Sequence, residues 1–445
     1  MTTAVLGLTR PASAPGPSEP WRDDPAGYWG ALTAATAELD TPLGAIDVNA
    51  LASNAYSMLD RAQGTRIRVA SKSVRVRGVL DAVLALPGYA GILAYTLPEA
   101  LWLAESGHSD VVVGYPSADR SAIARLASDE TLASRVTVMI DDVAQLDLID
   151  AVARPDRRLA IRVCLELDAS FRAPVLGHLG VRRSPVHSVE QARALAEAIV
   201  TRPGFTLVGM MAYEAQIAGV TNKGAGKLAV RTMQRASARE LAERRAAAVA
   251  AVSAVAPLEF VNGGGTGSLE STHADESVTE IAAGSGLFGP HLFDGYWQFT
   301  PAPALAFALS VVRRPTPDIA TLLGGGWIAS GPSQPDRLPQ LAWPAGLSML
   351  PREGAGEVQT PVTGAGVSAG STTSAGSTTS TGSTTSTGST TGTGSTTGLA
   401  IGDRVWLRHT KAGEASEHLN GFAVVRDGKV VAELPTYRGE GRAFL

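Results

Sequence analysis

Cysteine is nearly missing. Cys164 is the only one in 445 residues, and it lies inside an apolar run. No disulfide framework can form within the chain, and a reducing, cytoplasmic location is expected. Charge is scarce as well. A formal net charge of −4, with 18% charged residues, offers no footprint for nucleic acid and none for an anionic membrane. No apolar run approaches the roughly 18 residues that a membrane span needs. The start, Met1 to Pro20, is rich in Pro, Ser and Ala. It lacks an apolar core followed by a processing site, so it reads as a loose arm rather than a signal peptide.

What is present is alternation. From Asp47 to about Pro290, short apolar, β-branched runs that end in polar or Gly residues alternate with longer Ala/Leu/Arg/Glu segments of helical spacing. The expected strands are Ile67–Ser71, Gly91–Tyr95, Asp110–Tyr115, Val136–Ile140, Leu159–Leu167, Thr206–Tyr213, Leu258–Asn262 and Thr279–Ala283. Helices are expected between them, Val74–Leu86 and Ser121–Ser134 for example. Another, Val48–Arg61, precedes the first strand with Asp47 as its N-cap. Strands joined by helical crossovers favour a parallel sheet. The competitor to a closed barrel is an open doubly wound sheet. Polar and glycine features recur at many strand ends rather than at one switch point, which favours the barrel.

After about Gly295 the pattern becomes strands and turns: Leu305–Val312, Ile319–Leu323, Trp327–Ala329, Arg404–Arg408, Ala423–Arg426 and Val430–Leu434. Arg426-Asp427-Gly428-Lys429 is a hairpin signal. The expected fold class is therefore α/β, a (β/α)8 TIM-type barrel followed by a β-rich C-terminal domain. The expected division is an arm at 1–41, the barrel at 42–294 and the β domain at 295–445, with a flexible Ser/Thr/Gly-rich insertion at 368–398.

Chemistry concentrates at strand ends. Lys72 ends the first barrel strand, where a primary amine of lowered pKa can form a Schiff base with an aldehyde. The alternative is a lysine that ends a strand and meets water. Asn262-Gly263-Gly264-Gly265-Thr266-Gly267 follows the seventh strand, and Gly284-Ser285-Gly286 follows the eighth. Such turns let backbone N–H groups surround an anion, and Thr266 adds a hydroxyl. Many barrels bind phosphate after strands seven and eight. The alternative is two tight loops. Tyr213 and Glu214 end the sixth strand, and Tyr213 could pack on a planar ring or cap the barrel core. His178 follows the fifth strand as a site histidine or a loop residue. Glu166 and Asp168 flank that strand's end, for acid–base work or for pairing with Arg162 or Arg182. In the β domain, His409, Lys411, Glu414, Glu417 and His418 form either a set of metal donors or a charged surface hairpin.

Together these residues resemble a known family. The stretches Arg68-Val69-Ala70-Ser71-Lys72, Gly209-Met210-Met211-Ala212-Tyr213, Gly263-Gly264-Gly265-Thr266-Gly267, Thr279-Glu280-Ile281 and Gly402-Asp403-Arg404-Val405 carry the likeness, through their order and spacing. The chain resembles the fold-type III pyridoxal-phosphate enzymes, with an alanine-racemase-like barrel, and within them the D-threonine aldolase and D-serine dehydratase group. The resemblance implies pyridoxal 5′-phosphate held by Lys72. Gly264, Gly265, Thr266, Gly284 and Ser285 would form its phosphate turns, and Tyr213 would lie beside its ring with a catalytic part. His178 stands where relatives carry an Arg near the cofactor's phenolic oxygen. The resemblance also implies a divalent metal (Mn, Mg or Zn) at His409. Relatives place a second metal ligand, Cys or Asp, where this chain has Lys411; Glu417 or His418 is the substitute, or the site is lost.

The activity implied is a lyase cleaving β-hydroxy-D-amino acids to glycine and an aldehyde. The alternatives are a D-serine dehydratase-like deaminase, an amino acid racemase and a non-catalytic pyridoxal-phosphate carrier. A sugar-phosphate barrel would also use the two turns, but it leaves Lys72 and the β domain without a role. A small-molecule D-amino acid substrate and a homodimer, with the β domain closing the partner's barrel mouth, complete the expectation.

Overall fold

The computed structural model describes residues 6–11, 20–173, 177–332, 334–364 and 398–445. The Ser/Thr/Gly-rich insertion therefore lies outside the described residues, apart from Gly398. A short helix, Pro20–Asp23, precedes helix Pro25–Ala35 and strand β1 (Leu43–Asp47). The strands β2 (Arg66–Ala70), β3 (Tyr89–Ala94), β4 (Val111–Val113), β5 (Val136–Ile140) and β6 (Ile161–Glu166) follow, separated by helices. A small hairpin, β7 (Phe171–Ala173) and β8 (Gly177–Leu179), interrupts the alternation, which resumes with β9 (Phe205–Ala212), β10 (Phe260–Gly263) and β11 (Glu280–Ala283).

Eight of these strands close a barrel in the order β10-β11-β2-β3-β4-β5-β6-β9. Every pairing around it is parallel. The strands are short and rich in Val, Ile and Leu because both of their faces are covered, which removes the need for polar alternation. Closure pairs β11 with β2, Ile281 opposite Ile67 and Ala283 opposite Val69. That register brings the turn after β11 beside Lys72. Several helices start where the sequence offers side-chain caps. Asp47 accepts from Asn49 N and Ala50 N at 2.9 and 3.0 Å, and Asp142 and Ser188 each form a capping box.

The second unit is a sheet of β12 (Leu305–Thr316), β13 (Ile319–Leu323), β14 (Gln340–Trp343), β15 (Ser348–Met349), β16 (Gln359–Thr363), β17 (Arg404–Arg408), β18 (Gly421–Arg426) and β19 (Lys429–Pro435). Strand β1 joins this sheet, antiparallel to β12 and parallel to β18. The β18–β19 turn forms where the sequence signal lies, with positive φ at Asp427 and Gly428.

Local differences from the expectations have physical reasons. The helix expected from Val74 starts at Arg77, because Ser71–Ser73 makes a 3-10 turn first. The helix expected over Ser121–Ser134 divides at Asp129, which caps a new one by accepting from Leu132 N. Trp327–Ala329 forms no strand; Trp327 instead packs on Phe307 and His418. The arm is not loose throughout. Leu6 and Leu8 are buried in the main core, and Trp29 and Leu32 pack with Trp406 under the β sheet. Burial of such side chains stabilises each by about 1.5–3 kcal/mol. Among the described residues, no helix is long and apolar enough to cross a membrane.

Candidate active site

A cavity opens at the carboxyl ends of the barrel strands and is roofed on one side by the β domain. Lys72 enters it from the turn after β2, with Nζ 3.4 Å from the hydroxyl of Tyr115, which follows β4. Tyr213 enters after β9. The Arg183 guanidinium lies 4.7 Å from the ring centre of Tyr213 and 5.4 Å from that of Tyr115. These cation–π contacts join the two tyrosines into one wall.

The two glycine turns line the same cavity. Gly264 has φ +80°, and a Cβ there would meet Ile281 and Thr272 at 2.8 Å. A Cβ on Gly284 would strike the Ala70 carbonyl beside Lys72. Only glycine fits both constraints at 264. Thr266 ties the turns together: its Oγ1 accepts from Gly286 N at 3.1 Å and lies 3.3 Å from Ser285 Oγ. Behind them, Glu214 accepts from Arg245 Nη1 and Thr272 Oγ1, each at 2.8 Å, and Arg245 also pairs with Asp275. All three charged groups of this network are at least 94% buried, so their mutual pairing is what makes burial tolerable.

Glu166, the last residue of β6, is 6% exposed and lines the cavity. Burial pushes its carboxyl up to about 7, against the pull of Arg183. From the β domain, Lys411 reaches the cavity. Burial lowers its pKa, and Arg337, Lys72 and Arg183 lower it further, while Glu414 opposes them.

Pyridoxal phosphate fits this donor set. A primary amine, hydroxyls on Thr266 and Ser285, and a glycine cradle that a Cβ would fill surround one space. The donors expected for a divalent metal are not brought together around His409. Among the described residues, no group of three or more His, Cys, Asp or Glu side chains is placed to hold one. His409 is 1% exposed beneath the cavity, edge-on to Phe288 at 6.3 Å. Neither of its ring nitrogens makes a hydrogen bond of normal geometry, and burial pushes its pKa down to about 3 against a weak opposing pull from the Leu305 backbone. His418 lies elsewhere, stacked on Trp327 at 5.0 Å in an outer groove. Glu417 is held by Arg75.

His178 also lies outside the cavity. It sits on the β7–β8 hairpin, Nε2 3.2 Å from the Val181 carbonyl, in a surface groove with Arg172 and Arg182. The hairpin carries residue 178 outward and returns the chain so that Arg183 faces the cavity instead. Tyr115 and Arg183 were missed by sequence reasoning. Tyr115 had a signal, as the terminal residue of an expected barrel strand; Arg183 had none without the hairpin.

Comparisons with known proteins agree with this fold. A 3-hydroxy-D-aspartate aldolase from Paracoccus denitrificans is 29% identical over 303 residues, 65% of this chain and 72% of the relative. The crystal structure of D-threonine aldolase from Filomicrobium marinum aligns with a TM-score of 0.67 at 20% identity, covering 91% of this chain and 96% of that one. D-threo-3-hydroxyaspartate dehydratase from Delftia sp. HT23 aligns with a TM-score of 0.60 at 19% identity, covering 89% and 97%. These structures share the barrel and the β domain. The alanine racemase N-terminal domain family matches residues 46–291, more than half of the sequence, and the chain belongs to that family.

Proposed function

We propose that the protein is a pyridoxal-phosphate-dependent lyase that cleaves β-hydroxy-D-amino acids in the manner of a D-threonine aldolase, giving glycine and an aldehyde. The observation that carries this reading is the opening of Lys72 into the same cavity as both glycine turns. Pyridoxal phosphate, when bound, supplies an aldehyde for an amine and a ring that accepts the electron pair of a bond broken at Cα.

The chain's own residues do the rest. Lys72 holds the cofactor and, once displaced by the substrate amine, carries a proton at Nζ. The Tyr115 hydroxyl, 3.4 Å away, orients that nitrogen. Gly264, Gly265, Thr266, Gly284 and Ser285 receive the phosphate with N–H and O–H donors. Tyr213 and Arg183 would lie along the wall beside a bound ring, and the apolar lining of Leu93, Met139 and Met211 would exclude water. No step is assigned to a metal, because the donor set does not supply its ligands. A homodimer in the cytoplasm is part of the same proposal; size-exclusion chromatography with light scattering tests the subunit count.

The test is a product assay. Protein loaded with pyridoxal phosphate should show a visible absorption band that borohydride bleaches, and it should convert D-threonine to glycine. Lys72→Ala should lose the band and lower kcat by more than about 10³-fold. A band that survives Lys72→Ala would overturn the lysine assignment. Production of 2-oxobutanoate in place of glycine would make the protein a dehydratase, and epimerised threonine a racemase.

A further inference from the structure

The cavity holds one group that the proposed chemistry has not yet used. Glu166 is the only carboxylate among the described residues that lines it. Its side chain makes no hydrogen bond and no ion pair among the described residues; only its backbone carbonyl is engaged, by Ser184 Oγ at 2.8 Å. Three other buried carboxylates of the barrel are tied to cations, and Glu99, fully buried away from the cavity, accepts from Tyr95 N through one oxygen only. Glu214 is held by Arg245 and Thr272, Glu280 by Arg66 and Arg68, and Asp275 by Arg245. A carboxylate kept in an apolar surround without a partner costs several kcal/mol. An arrangement that leaves one so, facing an open cavity, marks it for proton exchange with a ligand.

Its surroundings fit that role. Glu166 ends β6, the barrel strand opposite β2 and Lys72 in the closed order. Arg183, from the loop after β8, is the cation that faces it. Asp141 at the end of β5 and Asp168 just beyond β6 add negative charge from either side, and Cys164 lies two residues back on its own strand. The other ionisable groups lining the space are Lys72, Lys411 and the phenols of Tyr95, Tyr115, Tyr213 and Tyr296. A phenol is a poor proton acceptor at neutral pH and an ammonium accepts none.

We propose that Glu166 takes the proton of the substrate's β-hydroxyl group as the Cα–Cβ bond breaks. The inference rests on the lyase reading above. The hydroxyl O–H bond breaks and an O–H bond to Glu166 forms. The β-carbon becomes the aldehyde carbon, and the electron pair of the Cα–Cβ bond stays with the glycine part. Protonation at Cα from Lys72 then completes glycine, and the proton on Glu166 passes back to Lys72 through water, so hydrogen and charge balance.

Glu166→Gln and Glu166→Asp, each in the full chain loaded with pyridoxal phosphate, test this. In the wild type, kcat for glycine release should rise with pH through a midpoint of about 7, as the carboxyl loses its proton. Glu166→Gln should keep the visible band, hold KM within about threefold and lose about 10²- to 10⁴-fold in kcat, with that pH limb gone. Glu166→Asp should regain part of kcat and keep the limb. Infrared difference spectra of the unloaded protein should show carboxyl absorption titrating near neutral pH from Glu166 and from Glu99, whose carboxyl burial also pushes up to about 7, and Glu166→Gln should remove only the first part. Retained kcat in Glu166→Gln, or an unchanged limb, overturns the proposal. So does an inactive Glu166→Asp whose only other change is a lower unfolding temperature. A wild type that releases no glycine from any β-hydroxy-D-amino acid overturns the lyase reading instead, and the infrared signal then reports on the carboxyl by itself.

Discussion

The two walls of the cavity are built differently. Around the glycine turns of the barrel wall, polar groups already have partners; Glu166, across the barrel, is the exception. Thr266 holds the Gly286 amide, Arg61 binds both the Thr266 carbonyl and Glu270, and Arg245 and Thr272 hold Glu214. On the β-domain wall, polar groups are left open. Nε and Nη1 of Arg337 and both ring nitrogens of His409 are buried without hydrogen-bond partners, and Lys411 makes no ion pair among the described residues. One wall is organised before anything binds, as a fixed cofactor requires. The other presents the Lys411 amine to the cavity, with Arg337 and His409 behind it, and an anionic substrate group would find a partner there.

Substitutions on each side should separate the two. The largest effect is expected on the barrel wall. Arg245→Met leaves Glu214 and Asp275 buried without a countercharge, and a loss of about 3–5 kcal/mol is expected in denaturant unfolding. A loss under about 1 kcal/mol would break the contrast. A smaller and different effect is expected across the cavity. Lys411→Ala should leave pyridoxal-phosphate affinity within about twofold while raising KM for the β-hydroxy amino acid about tenfold or more, the worth of a hydrogen bond to a charged group. Equal losses in cofactor and substrate binding would merge the walls into one. The smallest effect belongs to His409→Phe. Its imidazole makes no hydrogen bond and stays neutral at pH 7, so unfolding free energy should change by less than about 1 kcal/mol and added divalent cations should leave the unfolding temperature of the wild type unchanged. A cation-dependent rise that His409→Phe abolishes would restore the metal.

The barrel was legible because its strands are continuous apolar runs. Val136–Ile140 appears in the structure with the limits read from its residues, and Lys72 and both glycine turns meet as their strand order requires. What escaped was long-range. Leu43–Asp47 looks like the approach to a helix, and its partners Ala308 and Phe422 lie hundreds of residues away, beyond any local periodicity. Arg183 and His178 are close neighbours in a loop, and only the hairpin decides which one faces the cavity. Glu166 looked like half of a carboxylate pair with Asp168, but Asp168 turns to Ser170 and His187 and the pair never forms.

Strand β1 carries a consequence for how the chain can be divided. It lies between β12 and β18, and the β18–β19 hairpin reaches the rest of its sheet through β1 alone. A fragment beginning near residue 295 would therefore hold two pieces of sheet with a missing slat. Synthetic β1 peptide, or the N-terminal half supplied in trans, should be needed to make it whole. During synthesis the slat is made early and waits, unpaired, while the barrel strands emerge and close. Strands β12 and β18, which dock on it, follow the whole barrel in the chain, so the sheet behind the cavity's second wall closes only after the barrel strands have been made.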